Sequence, residues 1–418
     1  MSTRQSCEAA MRASLATLAP HCPAVKLAEL VALVDSAMLE NTRYYHHLTH
    51  ALMVGGSDDP LDMLVGLFHD LIQVNVDQGL APAARAQLEG MIHLPAPLCY
   101  ALIDSPSTRS DRIFEMVRMT FDLTPGQTLS PFGGQNEFLS ALAAAKALAS
   151  VLDEADILAV TLAIEATLHF RKDIDDVPRA SLSKLEMLNE HFALGLSENA
   201  LRAQVHRSVR LANRDVCSFG SDDLIPLLDD TWDLMFESSP DLRRTEGAGL
   251  KSYRQTLHRM TNFLISLTTP VIYRQFDSEP DAANFAALRL RTTRNIAAIR
   301  SIMHCKLLAT SLLEAATASA EAKFLPRRHA LAGVAGMGAR VEPAMLPVLA
   351  AGSDAGVEFD IRQSPLSHAI AAAMTASAIE RCLQGLDPVA TVPDGLLAMV
   401  PEKIAAQARV LAESMVLG

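Results

Sequence analysis

Four of the thirteen histidines fall close together: His46, His47 and His50 in RYYHHLTHALMV, then His69 in GLFHDLI. His46 and His50 are spaced i, i+4, which predicts one shared helix face about a turn apart. His69 is followed by Asp70 and flanked by Leu67-Phe68 and Leu71-Ile72, so the pair is expected on a buried second helix. An adjacent His and Asp in an apolar setting need something that satisfies both. A divalent metal between the two helices would do so, taking imidazole nitrogen from His50 and His69 and oxygen from Asp70. The bland alternative is two core histidines and a helix cap, because an isolated His-Asp dipeptide arises easily by chance.

The order of the two motifs adds weight to the metal reading. Arg43, Tyr45, His46, Leu48 and His50, followed after a helix turnaround by Phe68-His69-Asp70-Leu71-Ile72, resemble the HD-domain superfamily of metal-dependent phosphohydrolases. The likeness is to the branch with a Tyr-His-x-Leu-x-His opening, and it covers roughly residues 25 to 220. It implies an all-α core in which His50, His69 and Asp70 are metal ligands and His46 gives a proton to the leaving oxygen. It also implies one more carboxylate from a late helix. Asp215 in VRLANRDVCSF fits best, with Asp153 or Asp156 in SVLDEADILAV as rivals. Asp215 has its own bland reading, as a helix-end residue paired with Arg214 or Arg210.

Relatives with two metals use further histidines, and His93 and His169 lie between the His-Asp pair and Asp215. Both are read as helix-end residues, where a protonated imidazole is favoured by the dipole. Three residues are candidates for substrate contact. Gln135 and Asn136 follow two glycines at a helix start, where free N–H groups suit an anion. Arg43, read as sharing the His46 face, suits a phosphate. Glu165, in an otherwise apolar helix, is expected to reach a polar partner.

Composition bounds what these residues can serve. The chain has 418 residues, 50% hydrophobic and 5% aromatic, with 36 Lys+Arg against 48 Asp+Glu and a net charge of −12. Such a chain forms cores and is not disordered. Its acidity disfavours extended nucleic-acid binding, and one Trp with five Tyr leaves few platforms for stacking bases. Six cysteines without a C-x-x-C pair read as reduced thiols of a cytoplasmic protein. The N-terminus reads as an amphipathic helix and not a signal peptide, and no membrane span is expected.

Apolar residues recur at helical spacing almost throughout, in segments filled with Ala, Leu, Met, Glu and Arg. Helices are predicted over 5–18, 25–39, 42–54, 60–74, 82–92, 110–121, 136–150, 154–170, 182–194, 197–214, 222–236, 249–268, 284–318, 367–384 and 400–416, with no strand. The expected fold is all-α: an HD-like catalytic domain over 1–240 and a C-terminal helical domain over 241–418. The boundary is placed near residues 238–248, in the polar stretch SSPDLRRTEGAG. Residues 321–365, rich in Gly and Pro, are read as a loop or interface cover, and Asp387-Pro388 as a break. Arg289, Arg291, Arg294 and Arg300 on the long helix 284–318 are read as a solvated face, and the C-terminal domain as an interaction or homodimer module.

The expected function is hydrolysis of a phosphoester, a nucleotide or another small phosphorylated metabolite, with a divalent metal as cofactor. Such an ion acidifies water and neutralises charge on phosphoryl oxygens. Two alternatives stand beside it: a di-iron oxygenase on the same fold, and a helical protein that binds a ligand without turnover.

Overall fold

The computed structural model describes residues 3–38, 43–131, 133–169, 176–239, 250–267, 269–328, 365–387, 390 and 392–417. Several sequence features lie outside them: Arg171 and Lys172, most of the expected linker, nearly all of the Gly/Pro-rich segment, and Pro388. The chain is mostly helical, 70% helix against 4% strand.

Two compact units are present, residues 1–217 with 269–289, and residues 218–268 with 290–418. The division therefore falls earlier than residue 240, and the first unit takes back a later segment. The reason is local bonding. The Tyr273 hydroxyl donates to the carbonyls of Val216 and Cys217, and Arg274 donates to the carbonyls of Ala166 and Leu168. Asn213 and Arg274 also exchange two hydrogen bonds.

The first unit contains α1 (Thr3–Leu18), α2 (Ala24–Met38), α3 (Leu48–Gly55), α4 (Pro60–Phe68), α5 (Val74–Asp77) and α6 (Pro82–Gln87). A short hairpin follows, β1 (Ile92–Ala96) and β2 (Cys99–Leu102), then α7 (Pro106–Ser110), α8 (Arg112–Thr120), α9 (Gln135–Leu148) and α10 (Glu154–Ala166). α11 (Val177–His191) and α12 (Glu198–Asp215) complete the run before the chain leaves the unit. The hairpin is antiparallel and corrects the expectation of no strand. The helix predicted over 82–92 stops at Gln87, the chain turns through Gly90 at φ +75, a conformation glycine adopts freely, and His93 becomes a strand residue rather than a helix end.

α4 is the hub, packed by α1, α3, α9, α10 and α12. Residues 157–166 of α10 are buried all round, as a central helix requires. α3 and α4 cross glycine on glycine: a Cβ on Gly66 would come within 2.3 Å of the Gly55 nitrogen. At its start α4 is capped by Asp59, whose carboxylate accepts from Leu61 N and Asp62 N. One turn in, fully buried Asp62 takes Arg207, Arg210 and Arg214 from one face of α12. Those arginines are thereby spent on Asp62, which leaves Asp215 without either of the arginine partners its bland reading required.

The second unit holds α13 (Ile225–Glu237), α14 (Leu250–Ser266), the body of α16 (Ala282–Arg328), α17 (Pro365–Ala373), α18 (Ala376–Leu383) and α19 (Glu402–Leu417), with α15 (Thr269–Ile272) belonging to the first unit. Trp232, Leu257, Met303, Leu308, Leu312 and Ile404 are among its buried residues. Of the arginines read as a solvated face, Arg289 and Arg294 are exposed, whereas Arg291 and Arg300 are half-buried. Arg300 donates to the carbonyls of Leu264, Ile265 and Leu267, closing the C-terminal end of α14, while Arg291 and Arg294 donate to those of Gly220 and Asp222. Among the described residues one helix, Ala282–Ala320, is long and apolar enough to cross a membrane, and 67% of its most apolar window is buried inside the protein.

Candidate metal centre

The cluster is assembled where α3, the end of α4 and the end of α12 meet. Helix α3 starts later than expected, at Leu48, because the His47 side chain caps it by accepting from Thr49 N and His50 N. His46 therefore lies before the helix, not on a shared face with His50; their rings are 6.3 Å apart and nearly perpendicular. His50 points inward, its ring 4.6 Å from that of Tyr45. The Tyr45 hydroxyl donates to the Asp215 carbonyl and so ties the end of α12 to this turn.

Helix α4 ends at Phe68, and His69 is its C-cap. The Nδ1 of His69 lies 2.7 Å from the Gly66 carbonyl, to which it donates. In the neutral imidazole Nε2 is then the lone-pair nitrogen. That atom is buried without a hydrogen bond, although Asp70 Oδ2 is 2.8 Å away and Asp215 Oδ1 3.5 Å. His50 Nε2 lies 3.0 Å from Asp215 Oδ1 and 3.5 Å from Asp70 Oδ2. One donor atom from each of His50, His69, Asp70 and Asp215 falls within 4.8 Å of all the others, and the group could hold a metal ion. The donors are two imidazole nitrogens and two carboxylate oxygens, a set that suits Mn, Fe, Co or Zn. An imidazole nitrogen that can exchange its proton for a cation, facing two carboxylates, is what such a site needs.

Proton equilibria report the same crowding. Burial works to lower the His50 pKa, but hydrogen bonds with Asp215 and Asp70 outweigh it and raise it to about 9. His69 is likewise raised, against its burial, by Asp70 and Asp215. Burial would lift both aspartates, yet His69 beside Asp70 and His169 beside Asp215 help to hold them well below the usual carboxylate range. Each carboxylate thus stays ionised and each of the two imidazoles takes up positive charge, which a divalent cation would replace.

Two residues join the site without having been assigned to it from sequence. His169 is not in a helix, because α10 stops at Ala166; its Nε2 lies 3.0 Å from Asp215 Oδ2, on the side away from His50. Its burial and that contact were hidden by its place next to an apparent helix end. Glu137, in the first turn of α9, is partly buried. Burial, together with nearby Asp70 and Asp215, pushes its carboxyl up to about 7. The sequence signal was a carboxylate directly after Gln135-Asn136, at an apolar helix start.

Other sequence candidates are placed elsewhere. Arg43 is buried, and its guanidinium is taken by Asp77 and by the carbonyls of His46, Asp70 and Leu71. It braces the two motif segments and has no free face for a phosphate. Gln135 spends its amide on the hairpin, accepting from Tyr100 N and donating to the Leu98 carbonyl. Asn136 accepts from Val74 N and donates to Gln73. Asp153 caps α10 by accepting from Asp156 N, and the Asp156 carboxyl lies near Asp153, Arg207 and Asp59, so neither rival of Asp215 belongs to the cluster. Glu165 is buried, 3.5 Å from Lys184 Nζ.

No family model, curated protein or solved structure matches this chain. The site's geometry therefore carries the functional argument.

Proposed function

We propose that the chain is a divalent-metal-dependent hydrolase of small phosphoesters, of the HD-domain kind that its two motifs resemble. The observation that carries this reading is the His69 imidazole: Nδ1–H anchored on a carbonyl, and a buried Nε2 that faces His50, Asp70 and Asp215. Two ionised carboxylates would repel a phosphoryl group, so a cation is needed before such a substrate can approach. When bound, the metal would acidify water and neutralise charge on the phosphoryl oxygens. His50, His69, Asp70 and Asp215 hold it. His46, at the mouth of the cluster and electrostatically coupled to Asp70, gives a proton to the leaving oxygen. Glu137, titrating near neutrality, is a second group able to hold or release a proton there. A cytoplasmic location belongs to the same proposal and agrees with six free cysteines. So does an interaction or dimerisation role for the second unit.

The test is metal analysis of protein purified without chelator, followed by a panel of nucleotides and nitrophenyl phosphoesters. The expected result is bound divalent metal and turnover that is lost in Asp70→Asn. Protein that neither retains nor takes up Mn, Fe, Co or Zn overturns the metal reading. Bound metal with no turnover across the panel overturns the hydrolase and favours ligand binding alone.

One observation favours a second reading. His169 on the outer oxygen of Asp215 lets that carboxylate serve two ions, as an iron-dependent oxygenase would require. Two irons per chain and substrate-dependent O₂ uptake would replace the hydrolase with this activity.

A further inference from the structure

Asp70 is held by a relay of amides whose orientation can be read outward from the backbone. The Val74 N–H donates to Asn136 Oδ1 at 3.1 Å, which leaves Asn136 Nδ2 to donate to Gln73 Oε1 at 2.8 Å. The Gln73 carbonyl oxygen being taken, its Nε2 donates to Asp70 Oδ1 at 2.8 Å. Each amide has its polarity fixed by the one before, and the first is fixed by a backbone donor. Gln73 is buried, and Asp70 is one turn of chain away from it. Gly134, at φ +97, lets the start of α9 lie close against Leu168: a Cβ there would come within 2.9 Å of its side chain.

We infer that Gln73 and Asn136 are positioning residues that commit Asp70 to bind the cation through Oδ2 alone. The inference rests on the metal reading above. With Oδ1 occupied by an amide, Oδ2 is the oxygen turned toward His69 and His50. A one-oxygen carboxylate beside two imidazoles suits a compact first-row ion. Calcium, which takes six to eight oxygens and often both oxygens of one carboxylate, is disfavoured. Hydrogen bonds to ligating groups of this kind typically change metal affinity by about 10–100-fold when removed.

The experiment compares wild type, Gln73→Leu, Asn136→Asp and the double variant by Mn²⁺ and Ca²⁺ titration. The visible spectrum of the Co²⁺-loaded full chain is recorded as well. Gln73→Leu keeps the volume and frees Asp70 Oδ1; Asn136→Asp keeps the acceptor for Val74 N and removes the donor to Gln73. The expected result is Mn²⁺ affinity about 10–100-fold weaker in Gln73→Leu, with a smaller preference over Ca²⁺ and a shifted Co²⁺ spectrum. Melting temperature in chelator should stay near wild type. Gln73→Asn, one methylene shorter, should recover little, and the double variant should be no weaker than Gln73→Leu because the two residues act in series. Unchanged Mn²⁺ affinity and Co²⁺ spectrum in Gln73→Leu, or fully additive losses in the double variant, overturn the relay while leaving the metal site standing. A wild-type chain that binds no divalent ion overturns the metal reading itself, and the relay's role with it.

Discussion

Asp215 Oδ2 lies 3.0 Å from His169 Nε2, while its other oxygen lies 3.0 Å from His50 Nε2. One carboxylate at the end of α12 therefore joins α3 to the segment after α10. Its arginine neighbours are drawn off to Asp62, and both Asp215 carboxylate oxygens lie against imidazoles.

That arrangement makes Asp215 indispensable to the site. Asp215→Asn should lose most of the bound divalent metal, measured by elemental analysis, while helical circular dichroism persists. Asp153→Asn should retain its metal and lose only cap stability, about 1 kcal/mol or less. Retention in Asp215→Asn would show that the cluster is not the metal site.

His46 separates chemistry from metal binding. His46→Asn should keep metal content and melting temperature near wild type while kcat falls roughly 10²–10⁴-fold, the usual contribution of a general acid. The loss should shrink for a nitrophenyl ester, whose leaving group needs no proton. Loss of metal together with activity would make His46 a ligand and strengthen the two-ion reading.

The glycine crossing of α3 and α4 sets the separation of His50 from His69. A Cβ at Gly66 meets the Gly55 backbone at 2.3–2.4 Å, and backbone on that scale cannot yield cheaply. Gly66→Ala should lower stability by about 1–3 kcal/mol, the range for overpacking, and weaken Mn²⁺ binding as the helices part. Chemical denaturation and titration check this; a variant with wild-type stability would refute the crossing as a constraint.

Glu137 gives a pH signature. Its pKa is raised from 4.5 to about 7 by burial and by Asp70 and Asp215. The unfolded chain then releases this proton first, so the group's contribution is fully present below pH 4.5 and is lost as pH rises through about 7. The loss is at most about 3 kcal/mol. Glu137→Gln stays neutral throughout, so in chelator its stability relative to wild type should grow between pH 4.5 and 7 and then level off. A gap independent of pH would mean that Glu137 ionises normally.

The helical class and the metal-type cluster were legible in the chain because both depend on local spacing. Apolar periodicity marks α1 and α12, continuous Ala/Leu-rich apolar runs mark α9 and α10, and the His-Asp pair announces itself by its apolar flanks. Asp215 was legible only by resemblance; the tertiary structure separated it from Asp153 by giving the arginines of α12 another carboxylate and Asp153 a cap to fill. What spacing could not show was where helices start and stop. His47 as a cap moves His46 off the α3 face, and an early stop at Gln87 with a turn at Gly90 replaces the end of a predicted helix by a hairpin. The roles of Arg43, Gln135 and Asn136 were reassigned for one physical reason: a buried polar group must bond to what is near it. The sequence by itself determined an all-α chain with donors of the right chemistry. Only the tertiary structure decided which donors meet, because His50, His69, His169 and Asp215 come from four segments whose approach is set by glycine contacts and buried charge.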